Sequence, residues 1–120
     1  MDTMKVNRML IVEDDQCQIF IAKKILGNHY EIETATDGYQ ALELMENKDF
    51  DIVLLDINLG DARMDGIRVI RTIRQNRRYK YTKIIAVTAY SDLSDWYISE
   101  GFNDLIIKPI LSETIFDILK

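Results

Sequence analysis

The sequence predicts a doubly wound α/β domain, in which a parallel sheet of five strands carries helices on both faces. Two patterns support this fold class. Short runs of branched apolar residues recur along the chain, and segments with helical periodicity separate them. The runs are almost continuously apolar, which is typical of strands buried on both faces. With 120 residues the chain suits one such domain and is too short for two, so we expect a single domain over residues 1–120 with right-handed crossovers.

The strands are predicted where branched apolar residues lie between turn-forming residues. Each run has the length that is usual for a strand. The five predicted strands are Arg8–Val12, Tyr30–Ala35, Ile52–Leu55, Ile84–Val87 and Leu105–Ile107.

The helices are predicted from apolar spacing and from capping residues. Asp15 can cap the first helix and Asp37 the second, because aspartate accepts hydrogen bonds from the free N–H groups of a first turn. Each predicted strand is followed by one helix, which gives a β–α unit repeated five times. The helices are expected around Ile19–Leu26, after Asp37-Gly38, after Gly66, from about Ser91 to Glu100, and over Ser112–Leu119.

The composition excludes several classes of protein. The chain is 48% hydrophobic and 29% charged, as in a globular protein. Its single cysteine, Cys17, excludes an internal disulfide and favours a reducing compartment. The apolar runs are too short to span a bilayer, and the N-terminus has no apolar signal segment, so we expect a cytoplasmic protein without a membrane partner.

Charge is distributed unevenly along the chain. The net charge is −5, and residues 1–60 hold five basic against 12 acidic side chains. Residues 68–83 hold seven basic side chains and no acidic one. Arg68, Arg71, Arg74 and Arg78 are spaced to share a helix face, which we interpret as solvated. Nucleic acid is therefore not the expected partner of this acidic chain.

Chemistry-bearing residues follow four of the predicted strands. Glu13 and Asp14 follow the first strand, Asp56 the third, Thr88 the fourth and Lys108 the fifth. In a parallel sheet the carboxyl ends of the strands meet at one edge, where such folds bind ligands. The sequence therefore predicts one site built from segments that are far apart in the chain.

These residue types suit a divalent cation and a phosphoryl group. Clustered carboxylates repel one another, and a hard cation such as Mg²⁺, which prefers oxygen ligands, relieves that repulsion. Asp56 with Glu13 and Asp14 can hold the cation. The ammonium of Lys108 and the hydroxyl of Thr88 can both donate to phosphoryl oxygens.

Five segments that surround these residues match the motifs of a known family, in the same order and over nearly the whole chain. They are LIVEDD (10–15), IVLLDINL (52–59), MDGIRVIRTIR (64–74), IIAVTA (84–89) and IIKPI (106–110). On these segments the chain resembles the receiver domain of two-component response regulators, including the chemotaxis regulators.

The resemblance implies a flavodoxin-like fold with strand order 2-1-3-4-5 and a role as a phosphorylation-dependent signalling switch. Asp56 would accept a phosphoryl group from a phosphohistidine in a magnesium-dependent reaction. Lys108 would contact the phosphoryl oxygens, and Thr88 would turn inward to bond them. The magnesium ligands would be Glu13, Asp14, Asp56 and, through its main-chain carbonyl, Asn58.

The resemblance also implies the partners. The phosphoryl donor would be a sensor histidine kinase or a phosphotransfer protein, and the receiver would act on a downstream protein or an output domain outside this chain. The phosphorylated form can also dimerise in this family. The chain would catalyse its own phosphorylation and dephosphorylation, without turning over a separate substrate.

The sequence departs from the family pattern at several positions. Nine residues separate Asp56 from Gly66, a longer loop than is usual, and the strand-five position that often carries a switching aromatic residue is Leu105. Tyr90, two residues after Thr88, lies at a position that in this family controls the access of water to the acyl phosphate. The resemblance further predicts a cis peptide bond between Lys108 and Pro109.

Two alternatives remain open at this point. A phosphatase of the haloacid dehalogenase type also places an aspartate after an apolar strand, but it expects a second aspartate where Asn58 stands, and usually a cap domain. The other alternative is a receiver-like binding module that is never phosphorylated.

Overall fold

The computed structural model describes residues 7–61, 63–89 and 93–119. Five parallel strands form one sheet in the order β2-β1-β3-β4-β5, which confirms the predicted class and strand order. The strands are β1 Arg8–Val12, β2 Glu31–Ala35, β3 Ile52–Asp56, β4 Lys83–Thr88 and β5 Asp104–Ile107. The predicted second strand began one residue early, because the Tyr30 amide still donates to the Leu26 carbonyl at the end of the preceding helix (3.1 Å).

One α-helix follows each strand, as predicted. The helices are α1 Gln16–Leu26, α2 Gly38–Asn47, α3 Gly66–Arg74, α4 Ser94–Glu100 and α5 Ser112–Leu119, with a 3₁₀ turn at Arg77–Tyr79. The predicted start of the fourth helix at Ser91 lies outside the described residues. Asp15 and Asp37 cap α1 and α2 as expected, through bonds of 2.8 Å from the amides of Cys17 and Gln40.

Side chains alternate between the two faces of the sheet. Val53 and Leu55 of β3 belong to an apolar cluster that includes Ile70 of α3, whereas Leu54 belongs to a cluster with Ile115 of α5. Both faces are therefore covered, and β3 is buried along its whole length. Because the faces are filled, the open place for chemistry is an edge where strands end.

The basic segment between α3 and β4 differs from the expectation. Arg78 does not continue the face of α3, because that helix ends at Arg74 and Arg78 lies in the 3₁₀ turn, where it pairs with Asp49 (3.0 Å). Arg71 forms a two-pronged ion pair with Glu100 (2.6 and 3.1 Å).

Arg74 is half-buried rather than solvated, and its pKa is lowered by burial. Its guanidinium joins the end of α3 to three neighbouring segments. It donates to the carbonyls of Gly101 (2.9 Å), Tyr79 (2.9 Å) and Thr82 (3.2 Å), and to the side chain of Asn103 (2.9 Å). Part of the basic segment therefore holds the fold together.

A search of the described residues finds no helix with the length and apolar character needed to cross a membrane.

Candidate functional site

The sheet brings the predicted site residues to one edge. Asp56 at the end of β3 pairs in register with Val87, the residue before Thr88, and Thr88 pairs with Ile107, the residue before Lys108. Glu13 follows β1, and its amide donates to the Ala35 carbonyl (2.9 Å), which extends the pairing with β2 by one bond. The carboxyl ends of four strands thus meet as the sequence predicts.

Three carboxylates form a cluster at this edge. Glu13, Asp14 and Asp56 each offer an oxygen, and these oxygens lie within 4.8 Å of one another. Glu13 and Asp56 are buried, with 5% and 3% of their surface exposed, whereas Asp14 is exposed. A cation held here would have buried ligands on one side and an approach from solvent on the other, which suits an ion that keeps some of its waters.

Lys108 compensates part of this negative charge. Its Nζ donates to Asp56 Oδ2 at 3.0 Å and lies 3.5 Å from Glu13 Oε1. The Lys108-Pro109 bond is cis, which confirms the prediction.

The cluster shifts the pKa values of its members. Burial, a hydrogen bond to Asp56 and repulsion from its charge raise the pKa of Glu13 to about 7. Burial lowers the pKa of Lys108, but its bonds to Asp56 and Glu13 outweigh burial and hold that pKa above its usual value. Two buried carboxylates therefore interact with one ammonium, and a further positive charge at the site would be stabilising.

The loop after Asp56 is held at its first residues by a hydrogen bond to the Asp56 carboxylate. The Asn58 amide donates to Asp56 Oδ1 (3.0 Å), so Asn58 lies beside the cluster, and its side chain is exposed. Gly60 adopts φ 79°, a conformation that favours glycine, and a Cβ there would lie 3.0 Å from Asp14 Oδ2. At the far end, a Cβ on Gly66 would lie 2.7 Å from the Asp56 carbonyl oxygen, so glycine allows α3 to start against β3.

A cavity of about 400 Å³ opens beside the cluster. Thr88 is buried in its wall, and its Oγ1 lies 3.3 Å from the hydroxyl of Tyr97 on α4. The lining residues are Asp56, Ile57, Asn58, Thr88, Ala89, Leu93, Tyr97 and Lys108.

Tyr97 is a site residue that the sequence patterns did not predict, because no spacing in the sequence connects a tyrosine in a helix to the end of β4. Tyr90, which the sequence did indicate, lies outside the described residues.

Comparison with known protein families identifies the class of protein that has this fold and this acidic edge. Residues 9–120 match the model of the response regulator receiver domain, and the chain belongs to that family. The phosphatase alternative is therefore not retained.

Three relatives illustrate the family. The chain is 35% identical over 113 residues to the autoinducer 2 sensor kinase/phosphatase LuxQ of Vibrio vulnificus, covering 92% of this chain and 13% of that protein. The chemotaxis response regulator CheY4 of Vibrio cholerae is 25% identical with a TM-score of 0.86, over 96% of this chain and 97% of that one. The receiver domain of the sensor histidine kinase PA1611 of Pseudomonas aeruginosa PAO1 has a magnesium ion coordinated in its active-site cleft; it is 28% identical with a TM-score of 0.85, over 96% and 95% of the two chains.

The chain spans about an eighth of the curated sensor kinases that it matches. It is a receiver domain of two-component phosphorelay signalling, a class of signalling switches.

Proposed function

We propose that this chain is a phosphorylation-dependent switch in which Asp56 accepts a phosphoryl group from a phosphohistidine of a sensor histidine kinase or phosphotransfer protein. The observation that carries the proposal is the position of Asp56, buried among two further carboxylates and bonded to Lys108 at 3.0 Å. Asp56 lines a cavity through which a phosphoryl donor can approach, and aspartate carboxylates act as nucleophiles in phosphoryl transfer. We take residues 1–120 as one receiver domain.

The chain's residues fit a magnesium ion at the carboxylate cluster. The donors are oxygens, which Mg²⁺ prefers, and they are close enough to share one ion. When bound, the ion supplies positive charge that offsets repulsion between the carboxylates and an incoming phosphoryl group. The proposed ligands are Glu13, Asp14, Asp56 and the main-chain carbonyl of Asn58.

Transfer requires positioning and charge compensation more than covalent help. An oxygen of Asp56 forms a bond to phosphorus, while the bond from phosphorus to the histidine nitrogen of the partner breaks and its electron pair returns to the imidazole. The Asn58 amide holds one Asp56 oxygen and Lys108 the other. Lys108 then donates to the phosphoryl oxygens, and Thr88 turns its hydroxyl toward them.

The acyl phosphate adds negative charge and new acceptors at the end of β3. Thr88, Leu93 and Tyr97 are placed to respond, because they line the same cavity as Asp56. A state in which Thr88 faces the phosphoryl group would be stabilised only after phosphorylation, which is how a modification shifts a two-state equilibrium.

The relatives support the proposed partners. The name of LuxQ describes a sensor kinase and phosphatase, and PA1611 is described as a sensor histidine kinase. We infer that the output is a downstream protein or another domain, that phosphorylation can favour a dimer, and that nucleic acid and membranes are not partners of this chain. A cytoplasmic setting belongs to the same proposal, because the single cysteine, Cys17, is exposed as a free thiol.

The test is phosphorylation with acetyl phosphate in the presence and absence of Mg²⁺, followed by mass spectrometry that maps the adduct. We expect one adduct per chain, on Asp56, and none in Asp56→Asn. Asp61→Asn, which changes an aspartate of the same loop that pairs with Arg63, is the matched control and should be phosphorylated normally. Asp14→Asn should require more magnesium for the same adduct.

An adduct that survives in Asp56→Asn, or wild-type protein that forms none, would contradict the proposal. The second result would leave the alternative of a receiver-like module that is never phosphorylated.

A further inference from the structure

A tyrosine of α4 reaches the candidate site without being part of the acidic cluster. The hydroxyl of Tyr97 lies 3.3 Å from Thr88 Oγ1, and both residues are buried, with 2% and 3% of their surface exposed. Tyr97 lines the same cavity as Asp56 and Lys108. Its hydroxyl is therefore next to the group that is proposed to move toward a phosphoryl oxygen.

Tyr97 is also the buried residue through which α4 packs on the protein. Of the seven residues of α4, all described, Tyr97 alone is buried. Its ring packs edge to face on Phe102, with centroids 6.2 Å apart, and lies 5.4 Å from the ring of Trp96, which is 43% exposed. A change at the Tyr97 hydroxyl therefore acts on a short helix that has few other buried contacts.

The neighbouring strand offers no aromatic residue for this role. Leu105 of β5 pairs in register with Ala86, two residues before Thr88, and is only partly buried. Among the described residues, an aromatic side chain that contacts Thr88 comes instead from α4, the helix that follows β4.

We propose that Tyr97 is a positioning residue that acts through Thr88, holding its hydroxyl and linking the state of Asp56 to α4. This inference rests on the proposed function, because it needs a phosphoryl group on Asp56. It assigns to α4 a direct polar contact with the residue that responds to that group.

The number of protons on the two hydroxyls limits which hydrogen bonds Thr88 and Tyr97 can form at the same time. Each hydroxyl has one proton and can also accept. While Thr88 donates to Tyr97, its proton cannot reach a phosphoryl oxygen. Once Thr88 donates to that oxygen, Tyr97 must become the donor or lose the bond. Either hydroxyl can be the donor at this distance, and phosphorylation therefore favours the arrangement in which Tyr97 donates to Thr88.

The test is a double-mutant cycle with Tyr97→Phe, Thr88→Val and the two combined. Tyr97→Phe keeps the ring on Phe102 and removes only the hydroxyl. The rate of Asp56 phosphorylation by acetyl phosphate should change by roughly two- to tenfold in Tyr97→Phe, the factor expected for one neutral hydrogen bond. In the Thr88→Val background the same change should have almost no effect.

Fluorescence of Trp96, the single tryptophan, provides an independent readout on α4. We expect a change on phosphorylation in wild-type protein that is at least halved in Tyr97→Phe at equal adduct occupancy, since about one hydrogen bond carries the link. Tyr79→Phe is the matched control, because its buried hydroxyl donates to the Met45 carbonyl (2.9 Å) at a place remote from Asp56. It should leave the rate and the fluorescence response unchanged.

The outcomes separate this inference from the proposed function. Equal effects of Tyr97→Phe in both backgrounds, or an undiminished Trp96 response with Asp56 fully phosphorylated, would overturn the inference and leave the function standing. Absence of an adduct in wild-type protein would overturn the function and the inference with it.

Discussion

Replacing Glu13 by glutamine tests the electrostatics of the acidic cluster directly. The folded protein holds the pKa of Glu13 at about 7, against an ordinary value of 4.5. Between these two pH values the folded state binds more protons than the unfolded state. The free energy of unfolding should therefore fall as the pH rises from about 4.5 to about 7 in magnesium-free buffer.

The magnitude follows from the size of the pKa change. One pKa unit corresponds to about 1.4 kcal/mol, so the rise in the pKa of Glu13 from 4.5 to about 7 sets an upper limit of about 3 to 4 kcal/mol on this loss. Lys108 does not contribute to the slope, because its pKa is raised and it is charged in both states throughout this range. Glutamine keeps the shape and carries no charge. In Glu13→Gln the slope should disappear, and stability at pH 8 should exceed that of wild-type protein.

The assay is urea unfolding from pH 4.5 to 8 with a chelator present. Glu43→Gln, a change at an exposed position of α2, is the control for loss of one negative charge and should keep the wild-type slope. Added magnesium should stabilise wild-type protein more than Glu13→Gln, because binding to the folded state adds to its stability. An unchanged slope in Glu13→Gln would show that the raised pKa does not belong to Glu13 and would refute the reasoning.

Two further changes test how the fold supports the site. Arg74→Met removes the donor of four hydrogen bonds and should lower the free energy of unfolding by about 3 kcal/mol, whereas Arg77→Ala, at an exposed position, should change it little. Gly66→Ala places a Cβ 2.7 Å from the Asp56 carbonyl oxygen, a backbone atom that cannot move aside alone. It should cost about 2 kcal/mol and slow phosphorylation of Asp56. Urea unfolding measures the stability of both variants, and labelling with acetyl phosphate measures the phosphorylation rate of Gly66→Ala. An unaltered unfolding midpoint in either variant would contradict the contact described.

Much of the fold could be predicted because local patterns and global architecture agree. The runs at Arg8–Val12 and Ile52–Leu55 are apolar without alternation, which is how a strand covered on both faces appears in sequence. Capping by Asp15 and Asp37 depends on residues only a few positions away, so it is also visible in the sequence. The start of β2 moved by one residue, because a turn hydrogen bond from the Tyr30 amide to the Leu26 carbonyl, which leaves no signal in the composition, decided it.

The basic segment shows where such prediction fails. Spacing alone placed Arg74 and Arg78 on one solvated face, but α3 ends at Arg74 and the chain turns. Arg74 then finds acceptors in segments that are up to 29 residues away. The sequence does not encode these distances in any local pattern, so only the folded chain reveals that this arginine is structural.

The sequence by itself determined the sheet, its helices and which residues stand at the strand ends, because these depend on periodicity and on the rule that parallel strands end at a common edge. Only the tertiary structure decided which of those groups interact with one another. It set Lys108 between Asp56 and Glu13, gave Glu13 its raised pKa, and placed Tyr97 against Thr88. Burial and angstrom-scale contacts between distant segments govern these properties, and they arise only when the helices pack on the sheet.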